Sequence, residues 1–453
     1  MSFTRRVLLH GSLAAAVWRL TAARADSPAP SASGFLPFEA APAELVLAPP
    51  PAAPASALAY AGQIPGPLLR MKLGEALKIR LKNGLQHPTQ VCFPGLRPPN
   101  ASAGYGGLTN PRLKSGESLD IEFAPPDAGF SLYFPHAGAT DAAQQGRGLF
   151  GPIIVDEPDK PDVDEDFAVI LSDWNADGKG QIKDDFSDST LARGAGRKGA
   201  LVFANGAASP LKLTVRPSAR IRLRLGNAAT ARLTSVAVEG AKPLIVAVDG
   251  QPSEPFEPLR NQFPMGPGAR FELIFDMPRD SGASVDFSLR GAPDAAPIPF
   301  VAIRAEGEPV AGRAAAPRLP PNPLLPAEMA LETGRRTDIV VTGGGSAPFA
   351  LNGATFADWA QKPVASLARN AVTVFAIANK TAVVQAMRLG GHAARILHSM
   401  DDGWEPYWRD TILVQPGRTI SIAFVASNPG KWPIESSIPE HRAAGVGGWF
   451  QVG

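Results

Sequence analysis

The sequence predicts an all-β protein made of three consecutive Greek-key β-sandwich domains. Its 453 residues are enough for about three domains of ordinary size. The chain contains 46 Pro and 45 Gly but only 19% charged residues, a composition typical of short strands joined by many turns. Short runs of alternating apolar and polar residues recur along most of the chain, and such strands bury one face against a second sheet.

The first 25 residues have the pattern of a twin-arginine export signal. Arg5 and Arg6 precede an apolar stretch, and Ala23-Arg24-Ala25 fits an A-x-A cleavage site. Arg19 interrupts the apolar run, which is therefore shorter than the roughly 20 residues that a membrane-spanning helix needs. We therefore expect a cleaved signal over residues 1–25, export to the periplasm by the twin-arginine (Tat) translocase, and no transmembrane segment in the mature chain.

Charge and cysteine content argue against a nucleic-acid-binding protein and exclude a fold stabilised by intrachain disulfides. Removal of residues 1–25 takes away four arginines and no acid, which changes the formal charge from +2 to 2 − 4 = −2. A nearly neutral mature chain does not have the basic excess typical of nucleic-acid binding. Cys92 is the only cysteine, so no intrachain disulfide can form and stability must come from the cores and sheets.

Composition shifts divide the chain after the signal. Residues 26–58 are rich in Ala, Pro and Ser, and their low periodicity predicts a tether. A first domain is expected over 59–156 and a second over 157–306. Residues 307–335 are rich in Pro and predict a linker, which leaves 336–453 for the third domain.

Each domain contains strands with a clear pattern. In the first domain, Leu77, Ile79 and Leu81 alternate with basic residues, as in a half-buried strand, and the apolar run 148–155 closes the domain. In the second, Ile and Leu alternate with Arg over 219–225, which we interpret as a strand whose basic face is solvated. In the third, apolar strands are expected over 371–378 and 419–425.

The C-terminal stretch KWPIESSIPEHRAAGVGGWFQV resembles the last strand and copper loop of multicopper oxidases. In that family a tryptophan is followed by a His-Cys-His triplet, a further His, a Gly-Met pair and an aromatic strand. Trp432, His441, Gly445 and Phe450 stand in the corresponding places, but the triplet is Glu435-Ser436-Ser437. The resemblance extends over about residues 60 to 453, including 62–83 and 404–432, and implies cupredoxin-like domains.

A multicopper oxidase needs two imidazoles and a thiolate for its mononuclear copper and eight imidazoles for its trinuclear cluster. This chain has 6 His and 1 Cys, and His10 lies in the signal segment. Among the family's copper positions, the resemblance implies, only His136 keeps a trinuclear imidazole and only His441 a mononuclear one. The positions are Cys92, Pro94, Phe134, His136, Gln385, Arg388, Gly390, Glu435, Ser436, Ser437, His441 and Val446.

These positions favour a site without metal. We interpret His136 and His441 as hydrogen-bonded core or surface residues and Cys92 as a small apolar residue. Arg388 and Glu435 fall where the resemblance places the trinuclear copper, and we expect them to form an ion pair there. The alternative is that both charges face a solvent channel.

Two other groups of residues partly match known functional motifs. Asp173, Asn175, Asp177 and Asp184 match part of a calcium-binding loop, but Gly180 and a preceding strand do not fit that motif. The cluster of Glu435, Ser436 and His441 has hydrolase residue types but no Gly-x-Ser-x-Gly elbow. We therefore expect neither calcium nor nucleophilic catalysis.

The signal, length and emptied copper positions resemble the copper-depleted branch represented by the cell-division protein SufI, also called FtsP. This resemblance implies a non-catalytic periplasmic scaffold or interaction protein, related to division or the envelope, with an unknown periplasmic protein partner and no cofactor. The alternative is a divergent oxidase that binds copper at a reduced or rebuilt site with His136, His392, His398 and Cys92. A third alternative is a copper or small-molecule binder without redox chemistry, with soft ligands Met387 and Met400.

Overall fold

The computed structural model describes residues 34–48, 52–292, 294–314, 318–398 and 403–453, and nearly all of its regular structure is β-strand. The prediction of three β-sandwich domains is confirmed. No helix in the described ranges is long and apolar enough to cross a membrane. The predicted signal at residues 1–25 lies outside the described residues.

Domain 1 is a sandwich of two four-stranded sheets, with strand orders β2-β1-β4-β6 and β3-β8-β7-β5. A short helix, α1 (Asp141–Gly146), precedes the last strand. The strands are β1 (Leu36–Leu45), β2 (Ala55–Tyr60), β3 (Leu69–Lys72), β4 (Leu77–Asn83), β5 (Val91–Cys92), β6 (Ser118–Phe123), β7 (Gly129–Pro135) and β8 (Gly151–Asp156).

Domain 2 packs a seven-stranded sheet, β11-β10-β9-β13-β18-β15-β16, on a five-stranded sheet, β12-β20-β19-β14-β17. Among the residues described, it contains one α-helix, α2 (Ser189–Ala192), and one short 3-10 helix, Leu259–Asn261. Its strands are β9 (Glu165–Trp174), β10 (Leu201–Ala204), β11 (Ala207–Ala208), β12 (Leu211–Val215), β13 (Arg220–Asn227), β14 (Thr234–Glu239), β15 (Leu244–Val248), β16 (Gln251–Phe256), β17 (Gln262–Met265), β18 (Arg270–Asp276), β19 (Ser284–Arg290) and β20 (Ile298–Ala305).

Domain 3 packs two five-stranded sheets, β22-β21-β24-β28-β26 and β23-β30-β29-β25-β27. Helix α3 (Pro439–Ala443) connects its last two strands. The strands are β21 (Arg335–Gly344), β22 (Ala347–Leu351), β23 (Ala365–Leu367), β24 (Val372–Asn379), β25 (Gln385–Leu389), β26 (Arg395–Ile396), β27 (Thr411–Val414), β28 (Thr419–Val425), β29 (Gly430–Ser436) and β30 (Gly447–Val452).

The first strand of each domain pairs in parallel with a later strand of the same sheet: β1 with β4, β9 with β13 and β21 with β24. The predicted linker, residues 307–335, contains no strand before β21 among its described residues. It contains one short 3-10 helix, Leu331–Thr333. Asn322 in this stretch hydrogen-bonds the Gln251 side chain at 2.6 Å and the Ala128 backbone. The stretch therefore follows the surfaces of domains 1 and 2.

The prediction of a tether over residues 26–58 is wrong for β1 and β2. These strands pair with each other, and β1 also pairs with β4 in the domain 1 sheet. Ala55, Ala57 and Ala59 alternate with exposed or half-buried residues and are themselves buried. Buried and more exposed residues do alternate in β2. The buried ones are alanines, so the stretch looks like a simple Ala-rich and Pro-rich sequence and the alternation is not apparent.

The interpretation of the basic face of β13 as solvated is also wrong. Arg220, Arg222 and Arg224 are all buried. Arg220 bonds Asp276 and the carbonyl oxygen of Ala314, and Arg224 bonds Asp166. Arg222 binds Glu157 through Nη2 at 2.5 Å and Glu272 through Nη2 at 2.5 Å. Glu272 in turn accepts a hydrogen bond from the backbone N–H of Phe130 in domain 1.

Candidate functional site

The positions that the resemblance assigns to copper gather at the boundary between domains 1 and 3. Cys92 and Phe134 lie opposite one another on β5 and β7, and His136 follows β7. From domain 3, Arg388 on β25 lies opposite Glu435 on β29. All five side chains are buried. The structure therefore brings the predicted positions of both domains into one interior region.

Glu435 is the centre of a buried ion network that joins these two domains. His136 Nε2 lies 3.1 Å from Oε1 and 3.2 Å from Oε2 of Glu435. Arg442 Nη1 donates to Glu435 Oε1 at 3.2 Å, and Arg442 Nη2 donates to Asp141 Oδ2 at 2.6 Å. Asp141 opens helix α1, so the network links α3 back to domain 1.

The network determines the ionisation of its central carboxyl. Burial alone would raise the pKa of Glu435, but the neighbouring Arg442 and His136 lower that pKa to about 2. Glu435 is therefore ionised at neutral pH although its side chain is 0% exposed. A buried carboxylate is tolerated only when cations and hydrogen-bond donors compensate its lost hydration, and these neighbours supply both.

The expected ion pair between Arg388 and Glu435 is not formed. The two residues are register partners, but Glu435 contacts His136 and Arg442 instead. The Arg388 guanidinium lies over the ring of Phe134, with Cζ 5.3 Å from the ring centroid. It extends towards Gly268 of domain 2, because its long side chain reaches past the neighbouring strand. Both charged side chains are buried, so the solvent-channel alternative is also wrong.

The side chains at the mononuclear copper positions bond to, or pack against, other groups of the protein. The His441 ring packs on Phe349, and its Nε2 donates to the carbonyl oxygen of Gly194 in domain 2 at 2.8 Å. Burial lowers the pKa of His441 to about 4, so the ring is neutral at physiological pH. Gln385 donates to the Thr381 hydroxyl at 3.1 Å, and Val446 is an apolar core residue.

The two serines of the altered triplet bond the backbone of the neighbouring strand. Ser436 Oγ and Ser437 Oγ donate to the carbonyl oxygen of Ala386 at 3.3 and 3.2 Å. Ser436 Oγ also accepts from the backbone N–H of Ile438 at 3.1 Å, where α3 begins. The two serines therefore hold the loop against β25 and the start of α3.

Cys92 carries the thiol in this region, and its burial makes that thiol unreactive. Burial raises the pKa of the Cys92 thiol to about 12, even though Arg388 lowers it. Copper binds the thiolate form, which such a pKa disfavours. Pro94 and Gly390, at two other copper positions, have structural roles. The Pro94 carbonyl oxygen accepts a hydrogen bond from Ser131, and a Cβ added at Gly390 would collide with Pro433.

His136 is enclosed by aromatic rings in addition to its contact with Glu435. The Tyr105 ring meets the imidazole edge-on, with 5.1 Å between centroids, and the Trp359 ring stacks on it at 6.0 Å. Trp359 Nε1 donates to the Gly106 carbonyl oxygen at 3.1 Å, which fixes the indole over the site. The imidazole is therefore covered on the side of domain 3.

The other metal candidates from the sequence are also committed to protein contacts. His392 Nδ1 lies 3.1 Å from the Gly390 carbonyl oxygen, and its Nε2 accepts from the backbone N–H of Asn428 at 3.3 Å. Met387 is fully buried in the hydrophobic core, and Met400 lies outside the described residues. His398 has interactions of its own.

The loop that partly matches a calcium motif is held by protein donors. Asp173 accepts from Arg232 Nε at 2.8 Å and from the backbone N–H of Gly199 at 2.9 Å. Asp177 accepts backbone N–H groups of its own turn, and Asp184 pairs with Arg147. Over the described ranges, no group of three or more His, Cys, Asp or Glu side chains is arranged to hold a metal ion.

Sequence reasoning missed two members of the network, Arg442 and Asp141. Arg442 could have been found, because a carboxylate in a buried strand needs a counter-ion and Arg442 follows Glu435 within the same loop. Asp141 is distant in sequence, and no pattern in the chain indicates it. A second buried link was missed for the same reason: Arg270 of domain 2 binds Asp410 of domain 3 at 2.8 Å.

Three family models described as "Multicopper oxidase" match residues 46–160, 165–284 and 321–453. "Multicopper oxidase MmcO" of Mycobacterium tuberculosis is 26% identical over 436 residues, which cover 86% of this chain and 82% of that protein. "Copper resistance protein A" of Pseudomonas syringae pv. tomato is 26% identical over 246 residues, or 45% of this chain and 40% of that protein.

The fold agrees with the sequence comparison. The crystal structure of a multi-copper oxidase from Pseudomonas thermotolerans has a TM-score of 0.84 at 27% identity, covering 94% of this chain and 100% of the other. A multi-copper oxidase from Pseudomonas parafulva gives 0.81 at 26% identity, covering 92% and 100%. With three matching domain models and a shared three-domain fold, this chain belongs to the multicopper oxidase family.

Proposed function

We propose that this chain is an exported, copper-free member of the family that acts as a non-catalytic scaffold or interaction protein in the periplasm. The twin-arginine pattern at the N-terminus supports export, and the resemblance to the SufI type supports a role in division or the envelope. The partner is a periplasmic protein. No nucleic acid is involved, and no cofactor takes part.

The observation that carries this proposal is the ion pair of Glu435 with Arg442 at the centre of the altered triplet. In an active oxidase this triplet would supply imidazoles and a thiolate, which are the donors that bind copper tightly. Here it supplies a carboxylate whose charge is already compensated by Arg442 and His136. A guanidinium beside the site would also repel a metal cation, so the residues present do not fit copper.

The second candidate is a divergent oxidase that binds copper at a rebuilt site. The observation that favours it is the proximity of Cys92 and His136, which leave adjacent strands on the same side of domain 1. His136 Nδ1 has no hydrogen-bond partner among the residues described, so one imidazole nitrogen remains for a ligand. Against this candidate, burial keeps Cys92 protonated, and His392 uses both ring nitrogens.

Copper content separates the two candidates. The mature protein is purified from its native compartment without chelator, offered Cu(I) and then Cu(II), and measured by elemental mass spectrometry with a visible spectrum. We expect copper far below one equivalent and no oxygen consumption with phenols or Cu(I). The relative MmcO, treated identically, is the positive control for loading. Stoichiometric, tightly held copper that is lost in Cys92→Ser or His136→Ala would overturn the proposal.

The scaffold role is tested in a deletion strain under envelope stress. Wild-type protein is expected to restore growth equally in copper-supplemented and chelated medium, because the network needs no metal. His136→Ala combined with Cys92→Ser is expected to restore growth as well, provided that the variant accumulates normally. Complementation that depends on copper would support the oxidase candidate instead.

A further inference from the structure

Arg388 on β25 differs from the other buried arginines of this protein. In the described part of the chain nine arginines are buried, and eight of them have a nitrogen within 2.8 Å of a carboxylate oxygen. These eight are Arg97, Arg197, Arg220, Arg222, Arg224, Arg232, Arg270 and Arg442. Arg388 is 3% exposed, yet it donates no hydrogen bond to any described residue, and its Nε is buried without a partner.

The carboxylates on the two neighbouring strands are committed to other cations. Glu435, opposite Arg388 on β29, is bound by Arg442 at 3.2 Å. Asp410, just before β27 on the other side, is bound by Arg270 at 2.8 Å. A guanidinium has five N–H donors and stays charged in proteins, so its burial without acceptors is unfavourable. Buried polar groups are nearly always hydrogen-bonded, and Arg388 therefore indicates an acceptor that comes from outside the chain.

The guanidinium of Arg388 lies where the three domains meet. Its Cζ is 5.3 Å from the ring centroid of Phe134 in domain 1. A Cβ added at Gly268 of domain 2 would lie 2.6 Å from Arg388 Nη2 and 3.7 Å from the Cβ of Ser437 in domain 3. One residue from each domain thus encloses the guanidinium, and this enclosure limits a ligand to a few atoms.

We propose that Arg388 binds a small monovalent anion, a halide or a planar oxoanion such as formate or bicarbonate, at its Nε–Nη2 edge. The paired arginines use the same edge: Arg224 donates to the carboxylate of Asp166 through Nε at 2.8 Å and through Nη2 at 3.0 Å. One guanidinium matches one negative charge, and the nearby carboxylate of Glu435 disfavours a dianion. The inference rests on the contacts of Arg388 and not on the proposed scaffold role.

Linkage between anion binding and unfolding tests the proposal in solution. Urea unfolding of the purified mature protein is followed by circular dichroism at constant ionic strength, with sodium chloride or sodium formate replacing sodium gluconate, whose anion is too large for the site. For one site in the folded protein, each tenfold rise in chloride or formate above Kd should lower the unfolding equilibrium constant about tenfold. A response to chloride alone indicates a halide site, and a response to formate indicates a site for planar oxoanions.

Two variants separate this site from general effects of salt. Arg388→Met keeps an unbranched side chain and removes every N–H donor of the guanidinium, so its unfolding constant should be the same in chloride, formate and gluconate. Arg336→Gln removes a guanidinium that pairs with Asp338 at an exposed position, and it should keep the full wild-type dependence. Equal anion dependence in wild type and Arg388→Met, or none in the wild type, would overturn the proposal.

A crystal structure gives a direct check that does not require the variants to fold. Wild-type crystals are grown with bromide in place of chloride, or with formate, according to which anion stabilises the protein. They should show an anomalous peak or planar density within hydrogen-bonding distance of Arg388 Nε and Nη2. A water molecule at that position in the anion-containing crystals would contradict the assignment.

Discussion

Glu435→Gln removes the charge at the centre of the network between domains 1 and 3 while keeping the size of the side chain. The surroundings lower the pKa of this carboxyl from its usual 4.5 to about 2. At about 1.36 kcal/mol for each pKa unit, this difference corresponds to about 3 kcal/mol in favour of the charged form. Because the amide resembles the neutral acid, we expect the variant to lose about 3 kcal/mol of unfolding free energy at neutral pH.

The effect of pH on this loss has a definite sign. The folded-state pKa of Glu435 is depressed, so its contribution to stability is present above the usual carboxyl pKa and is lost as pH falls towards about 2. The difference between wild type and Glu435→Gln should therefore be largest at pH 7 and should shrink steadily below pH 4.5. Other carboxyls titrate equally in both proteins and cancel in the comparison.

The assay is urea unfolding followed by circular dichroism and tryptophan fluorescence, with coincidence of the two probes as the check for two-state behaviour. Glu122→Gln is the matched control, because Glu122 pairs with Lys78 on an exposed sheet face and its side chain is 50% exposed. Exposed pairs contribute about 0 to 1 kcal/mol, so the control should change little. A Glu435→Gln loss as small as the control, or one independent of pH, would refute the network as a source of stability.

Three further predictions concern the same region. Glu440→Gln should have the opposite effect to Glu435→Gln. Burial raises the pKa of Glu440 from 4.5 to about 7, so ionisation of this carboxyl lowers the stability of the folded protein as pH rises. In the same urea assay, the amide should stabilise the protein by about 3 kcal/mol at pH 8 and not at pH 4. Cys92 should resist iodoacetamide at pH 8 in the folded protein, because its thiol is buried and has a pKa of about 12. In urea it should react fully, as measured by intact mass. Stoichiometric alkylation of the folded protein would contradict this prediction. The combined change Glu435→His, Ser436→Cys and Ser437→His should not give a blue copper protein by elemental analysis and visible spectrum. Gln385 still leaves the mononuclear position without its second imidazole, and Arg442, which keeps Asp141 but loses Glu435, leaves a guanidinium beside the site.

The sequence predicted those parts of the fold in which burial produces an obvious period. β4 is an example, because Leu77, Ile79 and Leu81 alternate with lysine and arginine and are buried. β2 follows the same rule with alanines, whose small side chains carry too little apolar contrast for the pattern to be recognised. A match to the family beginning at residue 46 reaches back into this stretch.

The basic face of β13 shows a different limit of sequence reasoning. Alternation indicates that a strand has two faces, but it does not indicate which of them another domain will cover. Arginine is ordinarily exposed, and here Arg222 is buried only because Glu157 and Glu272 approach it from other elements. Partners so distant in sequence cannot be inferred from one strand. The same reasoning explains why Arg388 was expected to pair with Glu435: the two residues do lie opposite one another on β25 and β29, but the position of Arg442 depends on the turn into α3.

Helix α3, in the loop that the resemblance assigns to copper, connects all three domains. His441 binds the backbone of domain 2, and Arg442 binds Asp141 of domain 1 and Glu435 of domain 3. A buried ion network is costly to form, since each ion loses its hydration, but breaking it by removal of one partner costs about 3 to 5 kcal/mol. Such a network therefore favours one fixed arrangement of the domains over alternatives that would leave a charge unpaired. The role proposed above would use such a fixed arrangement, because partners recognise surfaces that only rigidly placed domains present together.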